Sequence, residues 1–240
     1  TALDLRHGTR ECEVVGNVFH GISGTAVSHA MASDPDVMIH VPYNPPDERE
    51  LCVNDRIHNN YITRVGYDNG GCVGIFCGYS TAVVVEHNEL FDLAYSGISL
   101  GWGWTKEPNA MRDNIVRCNR IERPLTLFSD GAGIYTLSEM PGSLIQRNFV
   151  DKVPRSKWAD PHTTNKCFYY DEGSGGITLD HNLSGEYAKG VERDFFNWPG
   201  KITMPSSAYS PELYRELVDR AGLEPEYRDI TEALASRRNE

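Results

Sequence analysis

The stretch "VVVEHNEL", residues 83–90, recurs in altered form at five other places along the chain. Each copy is centred on one asparagine and carries an aliphatic residue three positions before it. All copies except the last also carry an apolar residue two positions after it. The asparagines are Asn17, Asn60, Asn88, Asn119, Asn148 and Asn182, separated by 43, 28, 31, 29 and 34 residues. A repeat of this length indicates stacked structural units rather than one amphipathic helix or a hairpin sheet.

A unit made of a short strand, a turn at the asparagine and a second strand fits this pattern. Asparagine tolerates the left-handed backbone that such a turn needs, and stacked asparagine side chains can bond from one unit to the next. We therefore predict an all-β fold, a right-handed parallel β-helix (solenoid) of about six turns.

A second set of strands lies between the asparagine turns, in "GIFCGY" (74–79), "GISLGW" (97–102), "GIYTLS" (133–138) and "CFYYDE" (167–172). Side chains alternate faces along a strand, so the apolar second residues should point inward and the third and fifth residues outward. The outward residues would be Phe76, Ser99, Tyr135 and Tyr169, then Gly78, Gly101, Leu137 and Asp171. Asp130 lies just before the third strand, about one turn below Asp171.

Long intervals between strands predict loops, at 31–50, 103–113 and 151–165, which would build the walls of a groove. Residues 210–222 carry helix signals: Ser210 as N-cap, Pro211 at the first helical position and Gly222 at the end. A second, weaker helix is predicted over 229–238. We expect a β-helix over 1–204 and a helical cap over 205–240 that covers the open C-terminal end. We expect a preceding β-helix segment or a partner chain to cover the N-terminal end.

The net charge of −11 and the isoelectric point of about 5.2 argue against nucleic acid and anionic membranes as partners. No apolar run approaches the roughly 20 residues of a membrane-spanning helix. A neutral polymer, such as an oligo- or polysaccharide, remains open as a partner. The six cysteines form no C-x-x-C pair, so we expect reduced cysteines, mostly in the core.

The eight histidines show no metal-ligand spacing, and we predict no cofactor and no metal site. His87 and His181 occupy the same position before an asparagine and are predicted turn residues. His162, in the loop before Asp171, is the histidine we expect nearest to a substrate. The acidic loop at 33–36 leaves calcium open.

Asp130, in "SDGAG", and Asp171, in "YYDEGS", are the candidate catalytic residues, with Glu172 as a reserve carboxylate. A purely structural role stays open for both, because Asp-Gly is a common turn pair and an acid before a glycine turn is typical of a strand end. Two carboxylates on one outer face are what glycosidic hydrolysis needs, since one protonates the leaving oxygen and the other attacks or activates water. Adjacent turns lie about 4.8 Å apart, so the pair would approach the roughly 5 Å retaining distance or, with lateral offset, about 6.5–9.5 Å for inversion. Trp102, Trp104, Tyr135 and Tyr169 would line the sugar subsites.

Four segments resemble the β-helix glycoside hydrolases of family 141: residues 74–104, 129–150, 169–182 and 221–230. The resemblance implies hydrolysis of plant or algal polysaccharides, of the α-L-fucosidase or xylanase type, by a secreted or periplasmic bacterial protein. It also implies that the carboxylates at Asp130 and Asp171 are catalytic. The chain resembles only the later part of the longer family members, and it has Ala132 where relatives tend to have a second glycine.

Two other functions stay open from the residues alone. A polysaccharide lyase or epimerase would need a cation beside a uronic acid, and Arg112 and Arg147 are the nearby basic candidates. A non-catalytic carbohydrate-binding or structural solenoid is the third hypothesis, because a fold alone does not imply catalysis.

Overall fold

The computed structural model describes residues 1–31, 42–205 and 210–232. Nearly all regular structure in this part of the chain is β-strand, with one ten-residue α-helix, a helical turn at 229–232 and two short 3-10 turns, at Glu48–Glu50 and Pro225–Tyr227. The strands and helix are, in order, β1 (Leu3–Leu5), β2 (Glu13–Val15), β3 (Val18–His20), β4 (Val27–His29), β5 (Arg56–His58), β6 (Tyr61–Thr63), β7 (Ile75–Cys77), β8 (Val84–Glu86), β9 (Glu89–Phe91), β10 (Ile98–Leu100), β11 (Ile115–Arg117), β12 (Arg120–Glu122), β13 (Ala132–Thr136), β14 (Glu139–Gln146), β15 (Phe149–Asp151), β16 (Asn165–Tyr170), β17 (Gly175–Asp180), β18 (Leu183–Ser184), β19 (Val191–Phe196), β20 (Ile202–Thr203) and α1 (Pro211–Arg220).

These strands form three parallel sheets that the chain visits in rotation. The first sheet has the order β1-β4-β7-β10-β13-β16-β19, the second β2-β5-β8-β11-β14-β17-β20, and the third β18-β15-β12-β9-β6-β3. Each strand therefore pairs with the strand three places further along the chain, as successive turns of a coil do. This topology is consistent with the predicted parallel β-helix.

The inside of the coil is filled by aliphatic side chains that stack in register. In the second sheet the register aligns the residues three positions before each asparagine: Val14, Ile57, Val85, Val116, Ile145 and Leu179. All six are buried. Full burial of such a side chain stabilises the fold by about 1.5–3 kcal/mol, so the stack is a major source of stability.

The repeated asparagines form a hydrogen-bonded ladder at the corner between the second and third sheets. From Asn60 to Asn182, each side-chain oxygen accepts two hydrogen bonds from the asparagine one turn earlier, one from its backbone N–H and one from its side-chain amide. The first pair is Asn17 with Asn60 and the last is Asn148 with Asn182. The side-chain amides of the last five also donate to backbone carbonyls of the preceding turn. The predicted bonding between stacked asparagines is confirmed.

The left-handed backbone of these turns is not at the asparagine, as we expected, but at the residue before it. That residue has a φ of +50° to +68° in every copy: Gly16, Asn59, His87, Cys118, Arg147 and His181. The ladder asparagine instead uses its side chain to satisfy buried backbone groups. His87 and His181 are thus confirmed as turn residues.

Helix α1 begins at the predicted N-cap, since the Ser210 hydroxyl accepts a bond from the Leu213 N–H. It packs against the outward-facing Phe149 and Leu183 on the side of the coil, through Leu217 and Ala221. The prediction of a cap over the open end is therefore corrected for this helix. Outward apolar residues on the last strands of the third sheet give it a hydrophobic surface to cover there.

After α1 the tail continues along the ladder corner toward the earlier turns. The Gly222 N–H donates to the Cys118 carbonyl, and Asn59 bonds Glu224 through both its oxygen and its amide. Residues 229–232 are helical, as predicted, and the rest of the predicted second helix lies outside the described residues.

All six cysteines are free, as predicted, and Cys52, Cys77 and Cys167 are fully buried. In the described ranges, no helix is long and apolar enough to cross a membrane. The acidic loop at 33–36 lies outside them.

We expect Asn119→Ala to lower the free energy of unfolding by about 2–4 kcal/mol, because the buried Asn88 N–H loses its acceptor and the Val85 carbonyl loses the Asn119 amide, and each buried group left without a partner costs about 1–3 kcal/mol. Urea unfolding measures the change. Asn17→Ala is the matched control, since Asn17 is exposed at the ladder's end, and should cost less than about 1 kcal/mol. Equal losses in the two variants would show that the ladder does not carry this stability.

Candidate active site on the first sheet

The outward face of the first sheet carries a continuous row of side chains. Strand register aligns, from turn to turn, Phe76, Ser99, Tyr135, Tyr169 and Phe195. Tyr135 and Tyr169 lie 5.0 Å apart between ring centroids, and Tyr169 and Phe195 lie 5.2 Å apart, both edge to face. The predicted alternation on these strands therefore gathers aromatic rings on one outer surface.

Asp171 lies at the end of this face, directly after β16. Its Oδ2 accepts a 2.5 Å hydrogen bond from the Tyr135 hydroxyl, and its Oδ1 accepts a 2.7 Å bond from the Asn197 amide. The residue is 7% exposed. A buried carboxylate costs free energy unless it is hydrogen-bonded, and here each oxygen has a donor on a neighbouring turn.

Asp130 precedes β13, with a left-handed backbone (φ +57°). Its carboxylate is exposed and lies 3.1 Å from the Lys166 ammonium, whose side chain is 3% exposed. The Lys166 ammonium also lies over the Tyr169 and Phe195 rings, 4.0 and 5.0 Å from their centroids. The Tyr95 hydroxyl donates to the Asp130 backbone carbonyl. A buried cation thus holds Asp130 beside the aromatic row.

The two aspartates lie on adjacent turns but not directly opposite each other. Ala132 pairs with Lys166, whereas the Asp171 N–H donates to the Thr136 carbonyl. The length of β13, roughly 13 Å at 3.3 Å per residue, therefore separates their backbone positions along the strand direction. The expectation of carboxyls facing each other across one 4.8 Å strand spacing is corrected: Tyr135, Tyr169 and Lys166 lie between them.

Together with burial, the charges of both carboxylates nevertheless raise the pKa values of the same tyrosines, Tyr95 and Tyr169. Burial, and then the charges of Asp171 and Asp130, raise the pKa of Tyr169 well above its usual value. Burial, and then the charges of Asp130 and Asp171, raise the pKa of Tyr95 to about 12. Burial and the hydrogen bond to Asp171 raise the pKa of Tyr135 further still. These tyrosines therefore stay neutral at physiological pH and can act as hydrogen-bond donors.

Two of the predicted loops contact the two ends of the face. The 151–165 loop contacts the Asp130 end, where the Asp160 N–H and the Thr163 hydroxyl donate to Ser129. The 103–113 loop contacts the Asp171 end, because Thr105 packs closely on Gly173. A side chain at position 173 would collide with the Thr105 backbone, and Gly173 also has a φ of +80°.

The predicted sugar-binding aromatics divide into two groups. Trp102 and Trp104 are half-buried, 4.6 Å apart between ring centroids, and Trp102 contacts Phe76. Tyr135 is half-buried as well. Tyr169, however, is 5% exposed, with neighbours on both sides and Lys166 over its ring. Its predicted role as a stacking surface is corrected, because its ring is already covered.

The remaining predicted residues lie at the margins of the face. His162 is exposed, in the wall loop that contacts Ser129. Glu172 is half-buried in the turn after Asp171, and its backbone carbonyl accepts a bond from Ser138. Leu137, predicted to point outward, is fully buried. Arg112 and Arg147 lie at other corners of the coil, between the first and second sheets and between the second and third, respectively.

Sequence reasoning missed three residues of the site: Lys166, Phe195 and Asn197. Phe195 pairs with Tyr169, so "RDFFNW" (193–198) is a further copy of "CFYYDE" in which Asn197 occupies the Asp171 position. That alignment was readable from the sequence. Lys166 was not, because Cys167 and Phe168 both enter the core and break the alternation on which the assignment of faces depended.

Trp158 and Trp198 are the large exposed aromatics near the site, at 72% and 77% exposure. Trp158 is in the wall loop beside Asp130, with the Lys157 ammonium 4.8 Å from its ring centroid. Trp198 directly follows Asn197, the partner of Asp171. An exposed indole ring therefore stands near each aspartate.

Comparison with known proteins gives one informative match. The chain is similar to a solved structure named "Glycoside hydrolase", at 34% sequence identity and with a TM-score of 0.81. The match covers 94% of this chain and 37% of that structure, so the chain spans little more than a third of its length. No protein-family model and no curated protein matches the chain.

The raised phenol pKa of Tyr95 predicts a loss of stability in alkali. The unfolded chain ionises this phenol near pH 10 and the folded protein only near pH 12, so the free energy of unfolding should fall as the pH rises through this window. Tyr95→Phe should show a shallower decline between pH 9.5 and about pH 12 in urea titrations. Tyr187→Phe, at an exposed position, is the control. Identical slopes in Tyr95→Phe and wild type would contradict the assignment.

Proposed function

We propose that this chain hydrolyses glycosidic bonds in a plant or algal polysaccharide, with α-L-fucosidase-like or xylanase-like specificity, on the outer face of a right-handed parallel β-helix. The single observation that carries the proposal is the placement of Asp130 and Asp171 on adjacent turns of one aromatic face. The similarity to a structure named glycoside hydrolase supports the reaction class. We place the coil at 1–204 and the tail at 205–240, in a secreted or periplasmic protein.

In this proposal one aspartate protonates the leaving oxygen while the other acts on the anomeric carbon or on a water molecule. Because Tyr135, Tyr169 and Lys166 lie between the two residues, the sugar would bind on the outer side of these side chains. A backbone offset of this size excludes the roughly 5 Å retaining pair more strongly than the wider inverting pair of about 6.5–9.5 Å, so we infer inversion. Lys166 holds Asp130, while Tyr135 and Asn197 hold Asp171.

The aromatic residues would supply the sugar subsites. Sugar rings present C–H groups that pack on aromatic faces, and Trp102 and Trp104 stand near the Asp171 end of the groove. Trp158 and Trp198 extend the same chemistry outward to solvent. Tyr169 and Phe195 instead surround Lys166, so their role is to position the charged residues.

A uronate lyase or epimerase is the second candidate, and Lys166 is the observation that favours it. This reaction requires a cation to neutralise the uronic carboxylate, and Lys166 is the cation on the face. However, Lys166 is buried and already paired with Asp130, so hydrolysis remains the better-supported reaction. Appearance of an unsaturated, ultraviolet-absorbing product on a uronate polymer would establish the lyase instead.

The test is reducing-sugar release from fucose- and xylose-containing polysaccharides. We expect Asp171→Asn and Asp130→Asn each to lower turnover by about 100- to 10,000-fold while the circular dichroism spectrum stays unchanged. Asp68→Asn is the matched control, on an exposed loop aspartate that bonds Ser23, and should keep wild-type activity. Full activity in Asp171→Asn would reject the assignment, and binding without product release would indicate a non-catalytic carbohydrate-binding solenoid.

A further test concerns the exposed indole near Asp171. Trp198→Ala should raise KM about tenfold with a smaller change in kcat, because it removes a stacking surface and no reacting group. Phe196→Ala, also exposed and two positions before Trp198, is the control and should leave KM near the wild-type value. A loss in kcat alone would place Trp198 in the chemistry rather than in a subsite.

A further inference from the structure

A polar cluster lies inside the coil, away from the aromatic face. His29, at the end of β4, Cys52 and Asp55, just before β5, converge at the corner between the first and second sheets. One possible ligand atom from each lies within 4.8 Å of the other two. His29 and Asp55 are fully buried and Cys52 is 1% exposed. β4 and β13 are three strands apart in the first sheet, roughly 14 Å, so this cluster is separate from the proposed active site.

Hydrogen bonds from neighbouring turns hold these side chains in place. His29 Nε2 lies 2.9 Å from Asp55 Oδ2, and His29 Nδ1 lies 2.7 Å from the Ser80 hydroxyl. The Cys12 N–H donates to the other Asp55 oxygen, and Thr9 donates to Oδ2. Such outer hydrogen bonds orient the ligands of protein metal sites and fix the histidine tautomer.

The Ser80–His29–Asp55 chain has the residue types of a nucleophilic triad, but it is not placed as one. All three side chains are fully buried, so no substrate can reach the hydroxyl. Any ligand of this cluster must therefore be small enough to enter the interior, as a metal ion is.

We propose that His29, Cys52 and Asp55 bind one divalent transition-metal ion, with zinc as the best match. Imidazole nitrogen, thiolate sulfur and carboxylate oxygen are all zinc ligands, at about 2.0–2.3 Å from the metal. A thiolate and a carboxylate together carry two negative charges, so a divalent cation with a neutral histidine makes the buried site neutral. A neutral site avoids the cost of an unpaired charge in the interior.

The protons balance in a simple way. The Cys52 thiol, which donates to the Arg6 carbonyl at 3.0 Å, loses its proton to solvent as the metal binds. The His29 ring proton moves to Nδ1, which then donates a hydrogen bond to the Ser80 oxygen. Nε2 becomes the metal ligand. Asp55 supplies the oxygen ligand, and its carboxylate is held in place by bonds from the Thr9 hydroxyl and the Cys12 N–H.

A neighbouring cavity supports a fourth ligand. Cys52 lines a cavity of about 10 Å³, enough for one water molecule. The Tyr79 hydroxyl belongs to a residue lining the same cavity, and it is buried with no hydrogen-bond partner in the described residues. Of the three ligands only Cys52 lines this cavity, so in this proposal a metal-bound water on the Cys52 side is the fourth ligand, and a water in the cavity gives the Tyr79 hydroxyl a partner.

The experiment measures metal content and affinity of the whole chain. Protein dialysed against zinc and then against buffer should retain one zinc per chain by elemental analysis, and chelation should lower its melting temperature. With cobalt as the probe, wild type should show a thiolate-to-cobalt charge-transfer band. Cys52→Ser should lose this band and bind zinc more than about 100-fold more weakly. Cys72→Ser, a half-buried cysteine outside the cluster, should match wild type.

Ser80→Ala keeps all three ligands and removes only the outer hydrogen bond, so we expect about tenfold weaker zinc binding. If Cys52→Ser does not fold, the zinc affinity of Ser80→Ala and the number of zinc ions per wild-type chain test the proposal instead. Wild type that retains less than half an equivalent of zinc, or Cys52→Ser with an unchanged cobalt band, would overturn the site. Glycosidase activity does not enter either readout, so the result is independent of the proposed function.

Discussion

The whole structure depends on parallel hydrogen bonding between one turn of chain and the next. Most of the strands have only two or three residues and cannot hold a sheet alone, so each must find the same register on both neighbours. The asparagine ladder fixes that register at one corner, because each side chain satisfies buried groups on its own turn and on an adjacent one. A shift of one residue would expose the aliphatic stack and turn the outer face inward.

The same register builds the candidate site. Tyr135, Tyr169 and Phe195 form an outward row only because β13, β16 and β19 pair in register. Asp171 then receives donors from two turns, Tyr135 on one side and Asn197 on the other. Stacked turns therefore hold this buried carboxylate, while the loops at 103–113 and 151–165 contact the two ends of the face. The proposed metal site inside the coil is built in the same way, because the stacking of turns brings its ligands together.

Much of this architecture could be predicted from the chain. The asparagine repeat predicted a parallel coil and the bonding between stacked asparagines, and alternation along the second strand set predicted Tyr135, Tyr169 and Asp171 on the outer surface. The failures have physical causes. Leu137 and the Cys167–Phe168 pair depart from strict alternation, so Lys166 was missed, and the offset between Asp130 and Asp171 depends on where each residue stands along its strand. Helix α1 follows its capping residues, but its place on the side of the coil is set by Phe149 and Leu183.

The sequence by itself determined the coil, because a periodic pattern of apolar residues and asparagines acts locally and repeats on every turn. Tertiary structure alone decided which polar groups meet. Lys166 with Asp130, Asn197 with Asp171, and His29 with Cys52 and Asp55 are separated by between 3 and 36 residues along the chain. Their proximity follows from the distance between stacked turns and from the shape of each corner. The local sequence pattern specifies neither of these.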